Sequence, residues 1–140
     1  MAPRYRVVDP IGGDRVQQLM ELYKHEWWTS TRTVEQTRAI LNGSDVTIGL
    51  CDEAADGRLV AFARVLTDQT ARAFIFDVIV AADCRGYGLG RRVVDEVLSH
   101  PAVRNVELVE LYCRPELVRF YERMGFSSPD SGVVLMRRRR

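Results

Sequence analysis

The sequence lacks a long apolar segment and a strong excess of either charge. No stretch of about 18 apolar residues occurs, and the N-terminal residues do not resemble a secretory signal. The formal net charge is +1 with 28% charged residues, whereas nucleic-acid binders and disordered chains usually carry a strong charge imbalance. We therefore expect a folded, cytoplasmic protein that binds a small molecule, with neither a nucleic acid nor a membrane as partner.

Cysteine and histidine are also scarce. The three cysteines, Cys51, Cys84 and Cys113, are odd in number and widely spaced, which indicates neither a disulfide framework nor a zinc knuckle. The two histidines, His25 and His100, have no cysteine or acidic partner at ligand spacing. We therefore expect reduced thiols and no metal site.

The length of 140 residues suits a single domain over residues 1–140. Short β-prone runs bounded by turn residues predict strands over residues 4–9, 46–52, 58–67, 71–81, 106–113 and 133–136. The dipeptide Asp56-Gly57 favours an antiparallel hairpin between the second and third of these strands. The run at 71–81 is nearly all apolar, which predicts a central strand covered on both faces.

Apolar residues at helical spacing predict four helices between these strands. The first begins at Asp14 as its N-cap and runs towards Trp27, and the second begins at a capping box formed by Thr33 and Gln36. The other two cover residues 89–99 and 115–124. This order of elements predicts an α/β fold of mixed α+β type, with a parallel strand pair inside the sheet.

A glycine-rich turn separates the apolar strand from the third helix. The turn consists of Arg85, Gly86, Tyr87, Gly88, Leu89 and Gly90. Backbone N–H groups and the helix dipole make such a turn an anion site, and glycine lets phosphate oxygens approach closely. The residues after the glycines exclude both a P-loop and a dinucleotide fingerprint. A simple tight turn stays open as the alternative for this segment alone.

Two motifs in the second half of the chain resemble those of the GNAT acetyltransferase family. They are Arg85-x-x-Gly88-x-Gly90 after an apolar strand and the Tyr-Glu-x-x-Gly-Phe ending at residues 121–126, in the right order and spacing. The resemblance implies a mostly antiparallel central sheet with a parallel, splayed strand pair and about four flanking helices. It covers nearly the whole chain.

The resemblance also implies a function. An acyltransferase of this family moves an acetyl group from acetyl-CoA, its co-substrate, to a primary amine by direct attack in a ternary complex. We expect the amine of a small molecule. A catalytically silent acyl-CoA sensor and an acetyltransferase for protein lysines or N-termini stay open as alternatives, and the chain could act as a monomer or a homodimer.

The resemblance assigns a coenzyme site to two neighbouring segments. Backbone groups of the strand at Val78, Ile79 and Val80 would bind the pantetheine arm and the thioester. Backbone N–H groups of the six residues of the glycine-rich turn would hold the pyrophosphate. A backbone donor aimed at the thioester oxygen would stabilise the tetrahedral oxyanion.

Three side chains are candidates for proton transfer. Tyr121 matches the family tyrosine that protonates the departing thiolate, although it also belongs to an apolar helical stripe that could be simple core. Asp77 lies just before the thioester site and could accept a proton or hold a cationic amine; the alternative is a satisfied structural hydrogen bond. His25 is a further candidate for the base.

The segment between the first two helices supplies the expected acceptor pocket. Trp27, Trp28 and Arg32 lie there, and two adjacent tryptophans cannot both face one core, although both could cap it near the helix end. Cys113 could act as an acyl-carrying nucleophile, but we expect an inert thiol. Residues 137–140 form a basic run, for which we expect a solvated tail.

Overall fold

The computed structural model describes residues 2–129 and 132–140. Its α-helices are α1 Val16–Lys24, α2 Val34–Gly43, α3 Leu89–Ser99 and α4 Val118–Glu122. Its strands are β1 Tyr5–Val8, β2 Val46–Asp52, β3 Arg58–Thr67, β4 Arg72–Val80 and β5 Leu108–Glu110. They form one sheet in the order β1-β2-β3-β4-β5, antiparallel except for the parallel pair β4 and β5. This arrangement confirms the predicted mixed fold.

The hairpin of β2 and β3 is formed over the residues that the sequence predicted. Asp52 pairs with Arg58, and the connection includes a short 3-10 turn followed by Asp56 and Gly57. Both of these residues have φ in the left-handed region, at 55° and 73°, which explains the Asp-Gly pair. The predicted capping box is also present, with Gln36 N–H donating to Thr33 Oγ1 and Thr33 N–H to Gln36 Oε1.

Three predicted boundaries are wrong. Asp14 is not an N-cap: it lies inside a 3-10 turn, Gly13–Arg15, and α1 begins after that turn and ends at Lys24. The strand predicted at 106–113 shrinks to Leu108–Glu110, because its partner β4 diverges after Phe74. The last predicted helix divides into a 3-10 turn, Pro115–Leu117, followed by α4.

The strand predicted at residues 133–136 is not formed. These four side chains are exposed, and none of the described strands pairs with them. β propensity reflects how a residue fits a paired, half-buried surface, so β-branched residues alone do not make a strand. In the described ranges, no helix is long and apolar enough to span a membrane.

The core lies around β2 and β3, which are buried along most of their length. Helix α3 packs on β2, β3 and β4, and α1 packs on β3 and β4. The prediction that β4 is covered on both faces was only half right. Ala73, Ile75 and Ile79 are buried, whereas Val78 and Val80 are half-buried because they border the cavity described below.

Gly49 in β2 offers a test of this packing. A Cβ built there lies 2.5 Å from Leu59 Cδ1 and 2.7 Å from Ile11 Cδ1, in a region where both neighbours are buried. We expect Gly49→Ala to lower the free energy of unfolding by about 1–3 kcal/mol through overpacking. Urea denaturation measures this effect. Gly43→Ala is the control, because no atom lies within 4 Å of its Cβ position; an equal loss in both variants would contradict the packing argument.

Candidate active site

A bulge in β4 lies just beyond the end of its parallel ladder with β5. The pairing of β3 with β4 shifts between Phe62 and Arg64, which face Ile79 and Phe76 respectively. Asp77 lies in this bulge with φ of 56°, a left-handed conformation that is uncommon for a residue with a side chain. A bulge bends and twists its strand. The parallel ladder with β5 ends at Phe74 and Glu110, so the two strands are splayed beyond that pair.

The Asp77 carboxylate is the centre of a buried ionic cluster. Its Oδ2 accepts hydrogen bonds from Arg32 Nη1 at 2.6 Å, Arg64 Nε at 2.7 Å and Tyr23 Oη at 2.9 Å. Only 4% of its side chain is exposed. Burial by itself would raise the pKa of Asp77, but the hydrogen bonds and charges of the two arginines outweigh it and lower that pKa.

This cluster separates two predicted site residues from the cavity. Asp77 and Arg32 bind each other, and Arg32 also lies over the Tyr23 ring, 4.6 Å from its centroid. A carboxylate whose pKa is lowered by two guanidinium groups is a weak base. The catalytic assignment of Asp77 and the acceptor-binding assignment of Arg32 therefore stay predictions, and this geometry favours the structural alternative stated for Asp77.

Beside the bulge lies a cavity of about 660 Å³. It is bounded by β4, the glycine-rich turn, the start of α3, α4 and the segment after α1. The predicted site residues that line it are Trp27, Trp28, Val78, Ile79, Val80, Arg85, Gly86, Gly88, Leu89, Gly90 and Tyr121. Tyr87 is in the turn but exposed, and its side chain does not line the cavity. Most of the predicted residues are thus brought together.

The glycine-rich turn presents a row of free donors to this cavity. Gly86 and Gly88 have φ of 88° and 76°, which a residue with a Cβ adopts only with strain. Among the described residues, no protein acceptor pairs with the backbone N–H groups of residues 86–91, and the first ladder bond of α3 is Arg92 N–H to Gly88 O at 3.0 Å. Unpaired donors at a helix N-terminus favour binding of an anion, so the predicted phosphate site stays a prediction with suitable geometry.

Gly90 is required by the packing of α4 rather than by its backbone angle. A Cβ at this position lies 3.2 Å from Phe120 Cζ. The same Cβ would lie 3.7 Å from Val80 Cγ2, so the missing side chain lets α3 begin close to both the Phe120 ring and Val80. Gly90, the third glycine of the turn, therefore lies close to both β4 and α4 beside the cavity.

Tyr121 lies at the apolar end of the cavity. Its ring packs edge-on against Phe120 and Phe126, with centroids 4.9 and 5.8 Å away. Its hydroxyl makes no hydrogen bond to a described residue, yet no buried side-chain oxygen in that part of the chain lacks a partner. The hydroxyl therefore reaches solvent through the cavity. Burial, with a smaller effect of Cys113, raises the pKa of Tyr121 to about 12.

Cys113 is a poor nucleophile in this setting. Its thiol is half-buried, and burial followed by the charge of Glu116 raises its pKa above the ordinary value. A protonated thiol does not attack a thioester, because the thiolate is the reactive form. This agrees with the inert thiol that the sequence suggested.

The two tryptophans form an exposed wall rather than a cap on the core. Trp27 is 70% and Trp28 42% exposed, and their rings meet edge-on at 6.0 Å. The guanidinium of Arg114 lies 5.4 Å from the centroid of the Trp27 ring. Both tryptophans border the cavity, so a ligand in it would contact aromatic surface on this side.

Sequence reasoning missed several residues of the cavity wall. The residues it did not assign are Glu26, Cys84, Arg91, Arg114, Glu116, Leu117 and Phe120. Leu117 and Phe120 belong to the apolar stripe of the last predicted helix, so their position was available as a signal. Glu26 directly precedes the tryptophan pair, but no pattern indicated its ion pair with Arg85, 59 residues away.

Comparison with known proteins agrees with this geometry. The acetyltransferase (GNAT) family matches residues 14–126. Serotonin N-acetyltransferase 2, chloroplastic, of Oryza sativa subsp. japonica is 37% identical over 113 residues, covering 77% of this chain and 56% of the relative. An uncharacterized N-acetyltransferase, ycf52, of Pyropia yezoensis is 29% identical over 117 residues, covering 83% of this chain and 67% of the relative. The chain thus spans between about half and two thirds of such curated relatives.

Solved structures agree as well. A putative GNAT acetyltransferase from Xanthomonas campestris superposes with a TM-score of 0.80 at 25% identity, covering 99% of this chain and 95% of that one. Glucosamine-6-phosphate N-acetyltransferase from Arabidopsis thaliana has the same fold, with a TM-score of 0.78 at 22% identity. The superposition covers 97% of this chain and 98% of that one.

Fold and cavity together define an acyltransferase of the type that has a splayed parallel strand pair beside a glycine-rich helix start. With the family match over residues 14–126, the chain belongs to the GNAT acetyltransferase family. The predicted family and enzyme class are confirmed. Within the residues described, no group of three or more histidine, cysteine or acidic side chains is placed to hold a metal ion, and the cytoplasmic location stays a prediction.

The ionic cluster of Asp77 predicts a specific loss of stability. Asp77→Asn leaves Arg32 and Arg64 largely buried without a counter-charge, and we expect it to lower the free energy of unfolding at neutral pH by about 2–4 kcal/mol. Because the folded pKa of Asp77 is lowered, its contribution is present above the unfolded value of 3.8 and is lost as the pH falls through the folded pKa. Urea unfolding from neutral pH to about pH 3 measures both effects.

Asp83→Asn is the matched control for this experiment. Asp83 also binds an arginine, Arg58, at 2.8 Å, but its side chain is exposed. Exposed ion pairs contribute little to stability, so we expect a much smaller change. Equal losses in the two variants would show that the buried cluster has no special role.

Proposed function

We propose that this chain transfers the acetyl group of acetyl-CoA to a primary amine of a small molecule, by direct attack in a ternary complex. The observation that carries the proposal is the row of unpaired N–H groups at residues 86–91, which opens onto the same cavity as the free hydroxyl of Tyr121. An anion-binding helix start and a proton donor on one cavity suit a phosphate-bearing acyl donor.

Two parts of the chain would hold acetyl-CoA. The N–H groups of the glycine-rich turn suit its pyrophosphate, since glycine at 86 and 88 leaves no side chain between the backbone and a phosphate oxygen. The splayed part of β4 suits the pantetheine arm. Beyond Phe74 this strand has no ladder with β5, so Val78 and Val80 have no partner strand on the β5 side, where both line the cavity. The Val80 carbonyl accepts a hydrogen bond from Arg85 Nε at 3.3 Å.

The side chains of the cavity would then exclude water and supply one proton. Leu89, Leu117 and Phe120 give the cavity an apolar wall, which strengthens electrostatic interactions inside it. The acyl donor supplies a thioester, and the attacking amine must be neutral. Tyr121 keeps its proton at neutral pH, and its hydroxyl on the cavity can donate that proton to the departing thiolate. Burial raises its pKa to about 12, which makes it a weaker acid than a free phenol, so its contribution would come from its position.

The wall made by Trp27 and Trp28 supports an acceptor with an aromatic or cationic group. The names of two relatives indicate primary amines of different kinds, serotonin in one rice protein and glucosamine 6-phosphate in another. These two compounds are therefore the first acceptors to test. A cytoplasmic location and a monomeric or homodimeric state belong to this proposal as expectations.

Calorimetric titration with acetyl-CoA tests the coenzyme site. We expect binding in the micromolar range by the native chain and a loss of at least about ten-fold in a Gly86→Asp, Gly88→Asp double variant, because two carboxylates would repel the pyrophosphate. Gly57→Asp is the control: Gly57 also has a left-handed φ, 73°, and no atom within 4 Å of its Cβ position, but it lies in the hairpin turn. No binding by the native chain would overturn the proposal.

Tyr121→Phe tests the proton donor. Because the hydroxyl has no partner among the described residues, we expect unchanged stability and coenzyme affinity, with turnover lowered by about ten-fold or more. Tyr112→Phe removes an exposed hydroxyl from a residue that does not line the cavity and should leave turnover unchanged. Full turnover in Tyr121→Phe would refute the acid role, and coenzyme binding without transfer to any amine would favour the sensor alternative.

A further inference from the structure

An ion pair joins the glycine-rich turn to the segment that carries the tryptophans. Glu26 Oε1 accepts a hydrogen bond from Arg85 Nη2 at 2.7 Å. The carboxylate side is enclosed, with 15% of the Glu26 side chain exposed, while the Arg85 side chain is 56% exposed. Arg85 Nε also lies 3.3 Å from Val80 O. The guanidinium therefore bridges the end of β4 and the carboxylate.

This ion pair stands between two cavities. A second cavity, of about 520 Å³, lies beside α1 and the end of β4. Glu26, Val80 and Arg85 line both cavities. The guanidinium therefore borders both cavities, next to the backbone carbonyl of Val80 on the strand proposed to carry the pantetheine arm.

A bound pyrophosphate would compete with Glu26 for this guanidinium. Arg85 begins the turn whose free N–H groups form the anion site, and arginine forms strong, paired hydrogen bonds with phosphate oxygens. If Arg85 turns to the phosphate, Glu26 keeps a largely enclosed carboxylate without its cation. An unpaired carboxylate in such a place is unfavourable, so it would gain from another cation.

We propose that Glu26 exchanges Arg85 for the ammonium group of the acceptor when the coenzyme binds, so that the coenzyme prepares the acceptor site. The bound ammonium then gives one proton to solvent, and the neutral amine attacks the thioester. Glu26 is in this view a positioning and specificity-determining residue. It faces the same cavity as Trp27 and Trp28, and its only hydrogen bond through a carboxylate oxygen among the described residues is the one to Arg85. This inference rests on the proposed acetyl-CoA site.

Coenzyme binding gives the first test. In Glu26→Gln no charged carboxylate competes for Arg85, so we expect coenzyme A to bind about two- to five-fold more tightly than to the native chain, as befits a partly exposed ion pair. Glu116→Gln is the matched control, since Glu116 lines the same cavity but pairs with Arg114 at 3.2 Å. Equal or weaker binding by Glu26→Gln would overturn the exchange.

Acceptor binding gives the second test. The chain has two tryptophans, Trp27 and Trp28, so intrinsic fluorescence reports directly on the segment next to Glu26. Phenethylamine is titrated with and without saturating coenzyme A, which cannot donate an acetyl group. We expect the coenzyme to tighten its binding about five-fold or more in the native chain and in Glu116→Gln, but not in Glu26→Gln, as coupled sites require. The neutral analogue 2-phenylethanol should show no such coupling.

The outcomes separate the two proposals. If the native chain does not bind coenzyme A, the proposed function itself fails. If coenzyme A binds but phenethylamine shows no coupling, or shows the same coupling in Glu26→Gln, the function stands and the exchange at Glu26 is wrong. Thermal unfolding of each variant verifies that the isosteric substitutions leave the fold intact.

Discussion

The carboxylate of Asp77 lies where α1, the segment after it, β3 and β4 meet, and the opening of the sheet depends on this meeting point. A left-handed φ at a residue with a side chain is unfavourable and persists only where the surroundings determine it strongly. Here Tyr23, Arg32 and Arg64 supply four hydrogen bonds from three separate parts of the chain. Together they hold the bulge, and the bulge turns the end of β4 away from β5.

The same cluster keeps three charged side chains away from the cavity. Its one carboxylate and two guanidinium groups bind one another, and none of them lines the cavity. The cavity is lined mostly by neutral groups: backbone donors of the turn, apolar side chains and the protonated hydroxyl of Tyr121. The ion pair of Glu26 and Arg85 is the charged exception on the β4 side. In an apolar cavity a charge without a partner is costly, so binding an anion at one end changes what is favourable at the other.

Much of the fold could be predicted because it depends on local physics. Asp56-Gly57 suits a hairpin wherever it occurs between two strands, Thr33 and Gln36 cap a helix from within one turn, and the glycines of residues 86–90 indicate an anion site from backbone freedom alone. The failures have a different cause. Asp14 and residues 133–136 have the right local propensity, but a cap needs a particular backbone geometry and a strand needs a neighbour.

The sequence by itself determined the mixed fold, the glycine-rich turn, its resemblance to an acetyl-CoA site and the place of Tyr121 in the last helix. Only the tertiary structure decided the partners of Asp77, Arg32 and Glu26. Each of these side chains binds a residue 45 or more positions away, and a charged residue in a sequence carries no sign of which distant charge it will meet. Whether a carboxylate neutralises an arginine or faces a cavity is therefore set by packing.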